Sequence, residues 1–146
     1  MQALPAARII AGTGIDGDRY AQGLGAYSRV APVKIRHATF ICRAAIADAN
    51  AWLAQRGHAP FSAAETRRNF EVDGLDAELL NGLVGAVFRV GTLRFRGLEL
   101  ATPCHRPSRL LSRGAVFEAA FAGRGGLRAE ACDDGVVSEG DLLQLG

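Results

Sequence analysis

The residues best suited to chemistry lie in the segment 102–109, which reads Thr-Pro-Cys-His-Arg-Pro-Ser-Arg. Cys104 is followed directly by His105 and Arg106. Cationic neighbours stabilise a thiolate relative to a thiol, and the thiolate is the form that attacks electrophiles or binds soft metals. The two prolines disfavour a helix interior and favour a fixed loop. The segment therefore predicts a reactive cysteine, although an inert, half-buried loop cysteine is also compatible with it.

A second polar cluster consists of Arg67, Arg68 and Asn69. Arginine donates a bidentate fork to phosphate or carboxylate, and asparagine adds a donor and an acceptor. Arg19, in the glycine-rich stretch 12–25, could belong to the same anion site. Cations at the end of a helix also compensate the helix dipole, and taken by itself the cluster is better explained by that structural role.

Three familiar binding motifs are incomplete in this sequence. Residues 12–17 spell G-x-G-x-x-G, but further glycines follow where the helix of a dinucleotide site would have to begin. A calcium loop starting at Asp16 would need a glutamate at its twelfth position, where Tyr27 stands. The cysteines and histidines show no C-x-x-C or H-x-x-x-H spacing, which argues against zinc.

The composition is that of an ordinary globular protein. The 146 residues are 49% hydrophobic and 22% charged, and we expect one domain over residues 1–146. A net charge of +2 without a dense basic run argues against nucleic acid as a partner. No apolar run reaches membrane-spanning length, and the start of the chain lacks the pattern of a signal peptide. Three cysteines without paired spacing fit free thiols in a reducing cytoplasm.

The elements that must position these residues are mostly short strands. One helix is predicted over 43–56, with Gly57 as its stop, a capping box at 62–65 begins a short helix, and 75–80 forms a helical turn. Many short strands with few helices favour a mainly β fold, a small closed or curled β-barrel with short peripheral helices. The predicted strands are 7–11, 33–41, 70–72, 87–90, 93–100, 127–132, 136–137 and 142–145.

Turn signals predict how some strands connect. Gly91-Thr92 suits a two-residue hairpin turn between the strands 87–90 and 93–100. The apolar register changes after Gly97, which predicts a β-bulge there. Asp134-Gly135 predicts a second hairpin between the strands 127–132 and 136–137.

Six short motifs follow one another along nearly the whole chain. They are Gly14-Ile15-Asp16-Gly17-Asp18-Arg19-Tyr20-Ala21, Arg67-Arg68-Asn69, Leu83-Val84-Gly85 leading to Phe88-Arg89-Val90-Gly91, Pro103-Cys104, Gly123-Arg124-Gly125-Gly126-Leu127, and Gly135-Val136-Val137-Ser138-Glu139-Gly140-Asp141. Each motif is weak alone, but six in this order resemble a MOSC domain. That module occurs at the C-terminus of molybdenum cofactor sulfurases and as free-standing bacterial proteins.

The resemblance implies a β-barrel related to the accessory barrel of pyruvate kinase, with one functional cysteine. Members of the family bind the molybdenum cofactor, a pterin dithiolene with a phosphate tail. Their cysteine is thought to carry a persulfide sulfur or to ligate molybdenum. By position, Cys104 is that nucleophile or metal ligand, Arg67 and Asn69 match the cofactor-contacting Arg-x-Asn pair, and Arg19 lies in the matching Gly-x-x-Gly-Asp-Arg loop. Further candidates for cofactor contacts are Arg68, His105 and Arg106.

We therefore expect a cytoplasmic sulfur carrier or cofactor-binding protein, whose cofactor can be absent from the isolated chain. A cysteine desulfurase would be its sulfur-donating partner. One alternative is a molybdenum-dependent reductase of N-hydroxylated compounds, which needs a redox partner. Another is a non-catalytic barrel that binds a small anion or a protein, which Pro107 favours because many members have a second cysteine near that place. The sequence leaves open whether the chain is an enzyme. If it is one, it could be a sulfurtransferase or a reductase.

Overall fold

The computed structural model describes residues 6–11, 14–15, 38–66, 68–101 and 116–145. These residues are mainly β, as predicted, with three short helices. The strands are β1 (Ala6–Ile10), β2 (Gly14–Ile15), β3 (Ala38–Cys42), β4 (Phe70–Val72), β5 (Val87–Val90), β6 (Leu93–Leu100), β7 (Leu127–Ala131), β8 (Gly135–Ser138) and β9 (Leu143–Leu145). The helices are α1 (Arg43–Gln55), α2 (Ala77–Asn81) and α3 (Val116–Ala120), and a 3-10 turn spans Ala64–Thr66.

The strands form two sheets. The smaller has the order β2-β1-β8, and the larger has the order β4-β3-β7-β6-β5-β9. β3 and β4 are parallel, with Phe40 opposite Phe70, whereas β5 pairs antiparallel with both β6 and β9. Within the described ranges no helix has the length and apolar character needed to cross a bilayer.

The chain divides into two compact units. The helix-bearing unit comprises the described residues within 40–82 and 100–127, and the hairpin unit comprises those within 4–39, 83–99 and 128–146. Each unit buries its own set of apolar side chains. In the helix-bearing unit the largest fully buried side chains are Phe40, Ile41, Leu53, Phe61, Leu80, Phe117, Phe121 and Leu127, and in the hairpin unit they are Ile9, Phe88 and Phe95.

Helix α1 forms where the apolar spacing predicts it. Ile46, Ala49 and Leu53 lie on one face and are buried, which is the usual reason for a helix of this length to be stable in a protein. Gly57 has a φ of +74° just after the last turn, a conformation that glycine adopts without steric cost. The predicted helix therefore differs from the observed one by a single residue at its end.

Helix α3 was not among the predicted elements. It has five residues, which is too short for a helical period to stand out from a run of apolar residues. Its Phe117 stacks on Phe121 at 4.6 Å and meets Phe61 edge-to-face at 5.3 Å. Asn50 of α1 fixes Phe61 by exchanging two hydrogen bonds with its backbone. The packing of these rings stabilises α3, so tertiary contacts decide its presence.

The hairpin of β5 and β6 has the predicted bounds. Gly91 has a φ of +63°, as the first residue of this type of turn requires, and Phe88 stacks against Phe95 at 5.9 Å. Further along β6, a Cβ atom at Gly97 would collide with the carbonyl oxygen of Leu83. The close passage of that backbone explains the glycine, and β6 runs unbroken through it. The bulge at this position stays a prediction.

The predicted hairpin between β7 and β8 is wrong. β7 lies between β3 and β6 in the larger sheet, whereas β8 pairs with β1 in the smaller sheet. At the turn, the Asp134 carboxylate accepts a hydrogen bond of 2.6 Å from the backbone N–H of Ala11. An Asp-Gly pair indicates that the chain changes direction, but the backbone donors of β1, distant in sequence, determine which strand β8 joins.

Candidate functional site

Two of the predicted site residues, Arg68 and Asn69, are among the described residues. Both lie in the helix-bearing unit and both are half-buried. The others lie outside the described residues, and their positions stay predictions: Arg19, Arg67, Cys104, His105 and Arg106.

The chain reaches Arg68 through the predicted capping box. The backbone N–H of Ser62 donates to the Glu65 carboxylate at 2.9 Å, and the N–H of Glu65 donates to the Ser62 hydroxyl at 3.3 Å. This reciprocal pair is how a helix start is satisfied, and here it begins the 3-10 turn Ala64–Thr66. The prediction is confirmed, and the short turn ends two residues before Arg68.

The guanidinium group of Arg68 donates to three backbone carbonyls. Its Nε lies 2.7 Å from the oxygen of Gly125, and its Nη2 lies 3.3 Å from the oxygen of Ala101. Its Nη1 lies 3.5 Å from the oxygen of Thr66. Hydrogen bonds from a charged donor are the stronger kind, and a planar fork can hold several acceptors in fixed directions. These contacts give Arg68 a structural function, while its contact with a cofactor stays a prediction.

The segment 123–126, which joins α3 to β7, is held at several points. The side chain of Asn81 donates to the oxygen of Gly123 at 3.2 Å, and the N–H of Ala101 donates to the oxygen of Gly126 at 2.8 Å. Gly126 has a φ of +106°, and a Cβ atom there would collide with the carbonyl oxygen of Phe40. Gly126 of the glycine-rich motif is thus required by close backbone packing.

Asn69 lies between Arg68 and strand β4. Phe70, the next residue, stacks on Phe40 at 5.0 Å and is also its partner in the parallel register. This pairing fixes the backbone on the C-terminal side of Asn69, as the Arg68 contacts do on the other side. Asn69 therefore lies on an anchored stretch of backbone.

The two described cysteines are poor candidates for a reactive thiol. Cys42 is fully buried at the start of α1, and burial raises the pKa of its thiol. The thiol of the half-buried Cys132 donates to the carbonyl oxygen of Glu130, with its Sγ at 3.8 Å. Neither forms a disulfide. The free thiols expected from the sequence are confirmed for these two.

A functional candidate that the sequence did not suggest is Glu118 on α3. Its Oε1 is the one buried side-chain oxygen or nitrogen without a hydrogen-bond partner in the described part of the chain. Leaving such an acceptor unsatisfied costs about 1–3 kcal/mol, which suggests that it has a use. The sequence signal is a single acid between the buried Phe117 and Ala120, too common a pattern to be informative. No group of three potential metal ligands occurs within the described ranges.

Two arginines of the hairpin unit, Arg94 and Arg128, are closely paired with carboxylates. Arg94 donates to both oxygens of Asp133, at 3.0 Å and 2.9 Å, and these bonds lower the pKa of Asp133 from 3.8 to about 2. Arg128 lies 2.7 Å from Glu99. Because these cations already have anionic partners, this face of the hairpin unit is a weaker candidate for an anion site.

A family model of the MOSC domain matches residues 34–144 of this sequence. The chain belongs to the MOSC domain family. The family that the motifs suggested is therefore confirmed, and membership implies a role related to the molybdenum cofactor. No curated protein matches the sequence.

Solved structures confirm the MOSC fold. YuaD from Bacillus subtilis has a TM-score of 0.76 and 16% identity, over 96% of this chain and 84% of that protein. YiiM from Escherichia coli has a TM-score of 0.72 and 18% identity, over 100% of this chain and 64% of that protein. YiiM from Geobacillus stearothermophilus has a TM-score of 0.62 and 18% identity, over 76% of this chain and 54% of that protein. At such identities the likeness concerns the fold alone.

Proposed function

We propose that this MOSC domain is a cytoplasmic sulfur carrier for the molybdenum cofactor, with Cys104 as the residue that bears the sulfur. Family membership supports the cofactor class. The observation that carries the proposal is the anchoring of Ala101, whose N–H and carbonyl both make hydrogen bonds three residues before Cys104. Three residues of extended chain span at most about 11 Å, so Cys104 stays within that distance of an anchored point in the helix-bearing unit.

The remaining cysteines support this choice. Cys42 is buried with a raised pKa, so a sulfur donor could not reach it as a thiolate. Cys132 lies in the hairpin unit and donates to a backbone carbonyl. Cys104 has His105 and Arg106 as sequence neighbours, and cationic groups favour its thiolate.

The transfer step requires a donor that itself carries a persulfide, which a cysteine desulfurase would supply. The Cys104 thiolate attacks the outer sulfur of that persulfide. A new S–S bond forms on Cys104, the S–S bond of the donor breaks, and the donor cysteine leaves as a thiolate with the electron pair. The sulfur keeps its oxidation state, so the exchange needs no external oxidant or reductant.

The polar groups of the chain fit a pterin cofactor in type. Arg19, Arg67 and Asn69 would bind its phosphate tail and ring substituents, since arginine forks suit phosphate. The unpartnered Oε1 of Glu118 offers an acceptor for an N–H donor. When bound, the cofactor supplies a molybdenum centre that accepts a sulfur ligand. The chain's own residues would bind the cofactor, and Cys104 would deliver the sulfur.

The test is to purify the protein from a host that makes the cofactor and to measure two quantities. Mass spectrometry of the intact chain detects one added sulfur atom, and elemental analysis detects molybdenum. We expect added sulfur on the wild type and on Cys132→Ser, the matched control, but not on Cys104→Ser. Equal loading of Cys104→Ser would overturn the proposal. Molybdenum bound through Cys104 without added sulfur would also overturn it, in favour of the metal-ligand alternative.

A further inference from the structure

We propose that strand β9 is a docking edge for an extended, acidic segment of a partner protein, which adds to the larger sheet as a further strand. The apolar side chains of that segment cover the exposed Leu145 of β9, and its acidic side chains face Arg89. The inference goes beyond the proposed sulfur-carrier function and does not depend on Cys104.

The first argument is the direction of the backbone groups of β9. Among the described residues, β9 pairs only with β5 and ends the larger sheet. Gly91 donates to the carbonyl of Leu142 at 2.9 Å, so these two residues are a hydrogen-bonded pair of the antiparallel ladder. Such pairs alternate with pairs whose backbone groups point outward, so the N–H and carbonyl of Leu143 and Leu145 point away from β5. We call this side of β9 the open edge.

The second argument is the apolar character of the open edge. Edge strands are commonly protected from pairing by charged residues or proline, but residues 142–145 read Leu-Leu-Gln-Leu. Leu145 lies opposite Phe88 in the register, and thus on the face of the sheet that carries this buried ring. The Leu145 side chain is nevertheless 74% exposed. A further strand with apolar residues on this face would remove that leucine from water.

The third argument is the positive charge on the opposite face of the same strands. Arg89 of β5 and Arg94 of β6 are exposed and lie directly opposite each other, where like charges repel. Both oxygens of Asp133 already accept from Arg94, and no carboxylate of the described residues lies within ion-pair distance of Arg89. On its other side Arg89 lies opposite the neutral Gln144 of β9. A strand beyond β9 lies about 10 Å from β5, a distance that an arginine and a glutamate side chain span together.

The two faces together specify the occupant. Apolar side chains suit the face of Leu145 and acidic ones suit the face of Arg89, so the partner segment alternates between them with the period of a strand. Main-chain hydrogen bonds then supply affinity, and the alternate side chains supply specificity. A second copy of this chain fits less well, because pairing β9 with β9 adds no carboxylate and brings two pairs of arginines onto one face.

The experiment measures the binding of a fluorescein-labelled peptide, about seven residues long, in which valine alternates with glutamate. A peptide with lysine in place of glutamate is the matched control. The whole chain is compared with Leu143→Pro, which removes an N–H of the open edge but no hydrogen bond to β5. It is also compared with Arg89→Ala and with the control Arg8→Ala, which changes an exposed arginine of the smaller sheet.

Fluorescence anisotropy at low ionic strength should show that the acidic peptide binds at least about tenfold more tightly than the lysine peptide. Leu143→Pro should weaken binding of the acidic peptide by about tenfold, because a main-chain hydrogen bond of the added strand is lost. Arg89→Ala should weaken it by about fivefold. The melting temperature of Arg89→Ala should not fall, because the repulsion from Arg94 is removed. Arg8→Ala should bind like the wild type.

Equal binding of the two peptides, or no binding of the acidic one, would overturn the inference. Wild-type affinity in Leu143→Pro would do the same, because the peptide would then bind elsewhere than at the open edge. If Leu143→Pro does not fold, Arg89→Ala against Arg8→Ala decides, and equal affinities of these two variants contradict the inference. A wild type that sediments as a dimer and a Leu143→Pro variant that sediments as a monomer would assign the open edge to a second copy instead.

Discussion

Arg94 of the hairpin unit and Arg68 of the helix-bearing unit have different kinds of partner. In the hairpin unit, Arg94 pairs with the Asp133 carboxylate and its side chain is 52% exposed. In the helix-bearing unit, half-buried Arg68 donates to backbone carbonyls from three stretches of chain. An exposed ion pair is weakened by water and salt and contributes little to stability. An arginine bound to backbone carbonyls holds the backbone itself in place. Its removal leaves those carbonyl oxygens without this hydrogen-bond donor.

The two regions also differ in what holds their strands in place. The strands β5 and β6 are held by their own ladder and by Phe88 against Phe95, so their surface arginines are accessory. Ala101, the residue that follows β6, makes hydrogen bonds to segments distant in sequence. Its position depends on the Arg68 contacts and on the close packing at Gly126.

The largest expected effect comes from the glycine at this anchor. Gly126→Ala combines a positive φ with a backbone collision, and we expect a loss of about 4 kcal/mol or more in the free energy of unfolding. The matched change in the hairpin, Gly91→Ala, also has a positive φ but meets only the side chain of Asp141, so its loss should be about 1–2 kcal/mol. Chemical denaturation measures both. Equal losses would mean that the anchor is no more tightly packed than the hairpin turn.

The next largest effects are expected from replacing Arg68 and Arg94. Arg68→Ala should lower the free energy of unfolding by about 2–3 kcal/mol, because hydrogen bonds from a charged donor to backbone carbonyls are lost. Arg94→Ala should lower the free energy of unfolding by only a fraction of that amount. This loss should be smaller still in high salt, which screens the ion pair. Denaturation at low and high ionic strength tests this. A strong salt dependence for Arg68→Ala would contradict the backbone role.

The ion pair predicts a pH dependence confined to the hairpin unit. The folded pKa of Asp133 is about 2, below its ordinary value of 3.8, so the pairing stabilises the folded state above pH 3.8. This contribution is lost as the pH falls from 3.8 through about 2. Asp133→Asn should therefore be less stable than the wild type near neutral pH and should match it in strong acid. A stability difference independent of pH would show that the carboxylate's charge is not the cause.

The smallest effect concerns Glu118. Replacing it with Leu removes a buried acceptor that has no hydrogen-bond partner, so we expect a gain of about 1 kcal/mol in the free energy of unfolding. Glu118→Gln keeps the shape and serves as the control, with little gain. Retention of the pterin, followed by its fluorescence after release, is the second measurement. A stable Leu variant that holds less pterin would mean that this oxygen serves the ligand at a cost to the fold.

Several elements could be predicted from the sequence because their signals are local. The spacing of Ile46, Ala49 and Leu53 with Gly57 behind them indicates α1, and Gly91-Thr92 between two alternating runs indicates the β5–β6 hairpin. The ordered motifs indicated the MOSC family, since each marks a turn or a polar group at a fixed place in the chain. Of the candidate site, sequence alone placed Arg68 and Asn69 together after the capping box.

Other features depended on partners far away in the chain. β8 pairs with β1 and not with β7, because the backbone groups of β1, which is distant in sequence, form the hydrogen-bonded ladder with β8. Helix α3 exists because Phe117 and Phe121 pack with Phe61. The missing partner of the Glu118 oxygen could be recognised only once its surroundings were assembled.

The amino-acid sequence by itself determined the family, the mainly β class and the residues able to do chemistry, because composition, turns and motif order are properties of neighbouring residues. Only the tertiary structure decided that Arg68 binds carbonyls of Ala101 and Gly125. A guanidinium group bonds whatever acceptors the fold brings within reach, and segments 33 and 57 residues away meet it only after folding.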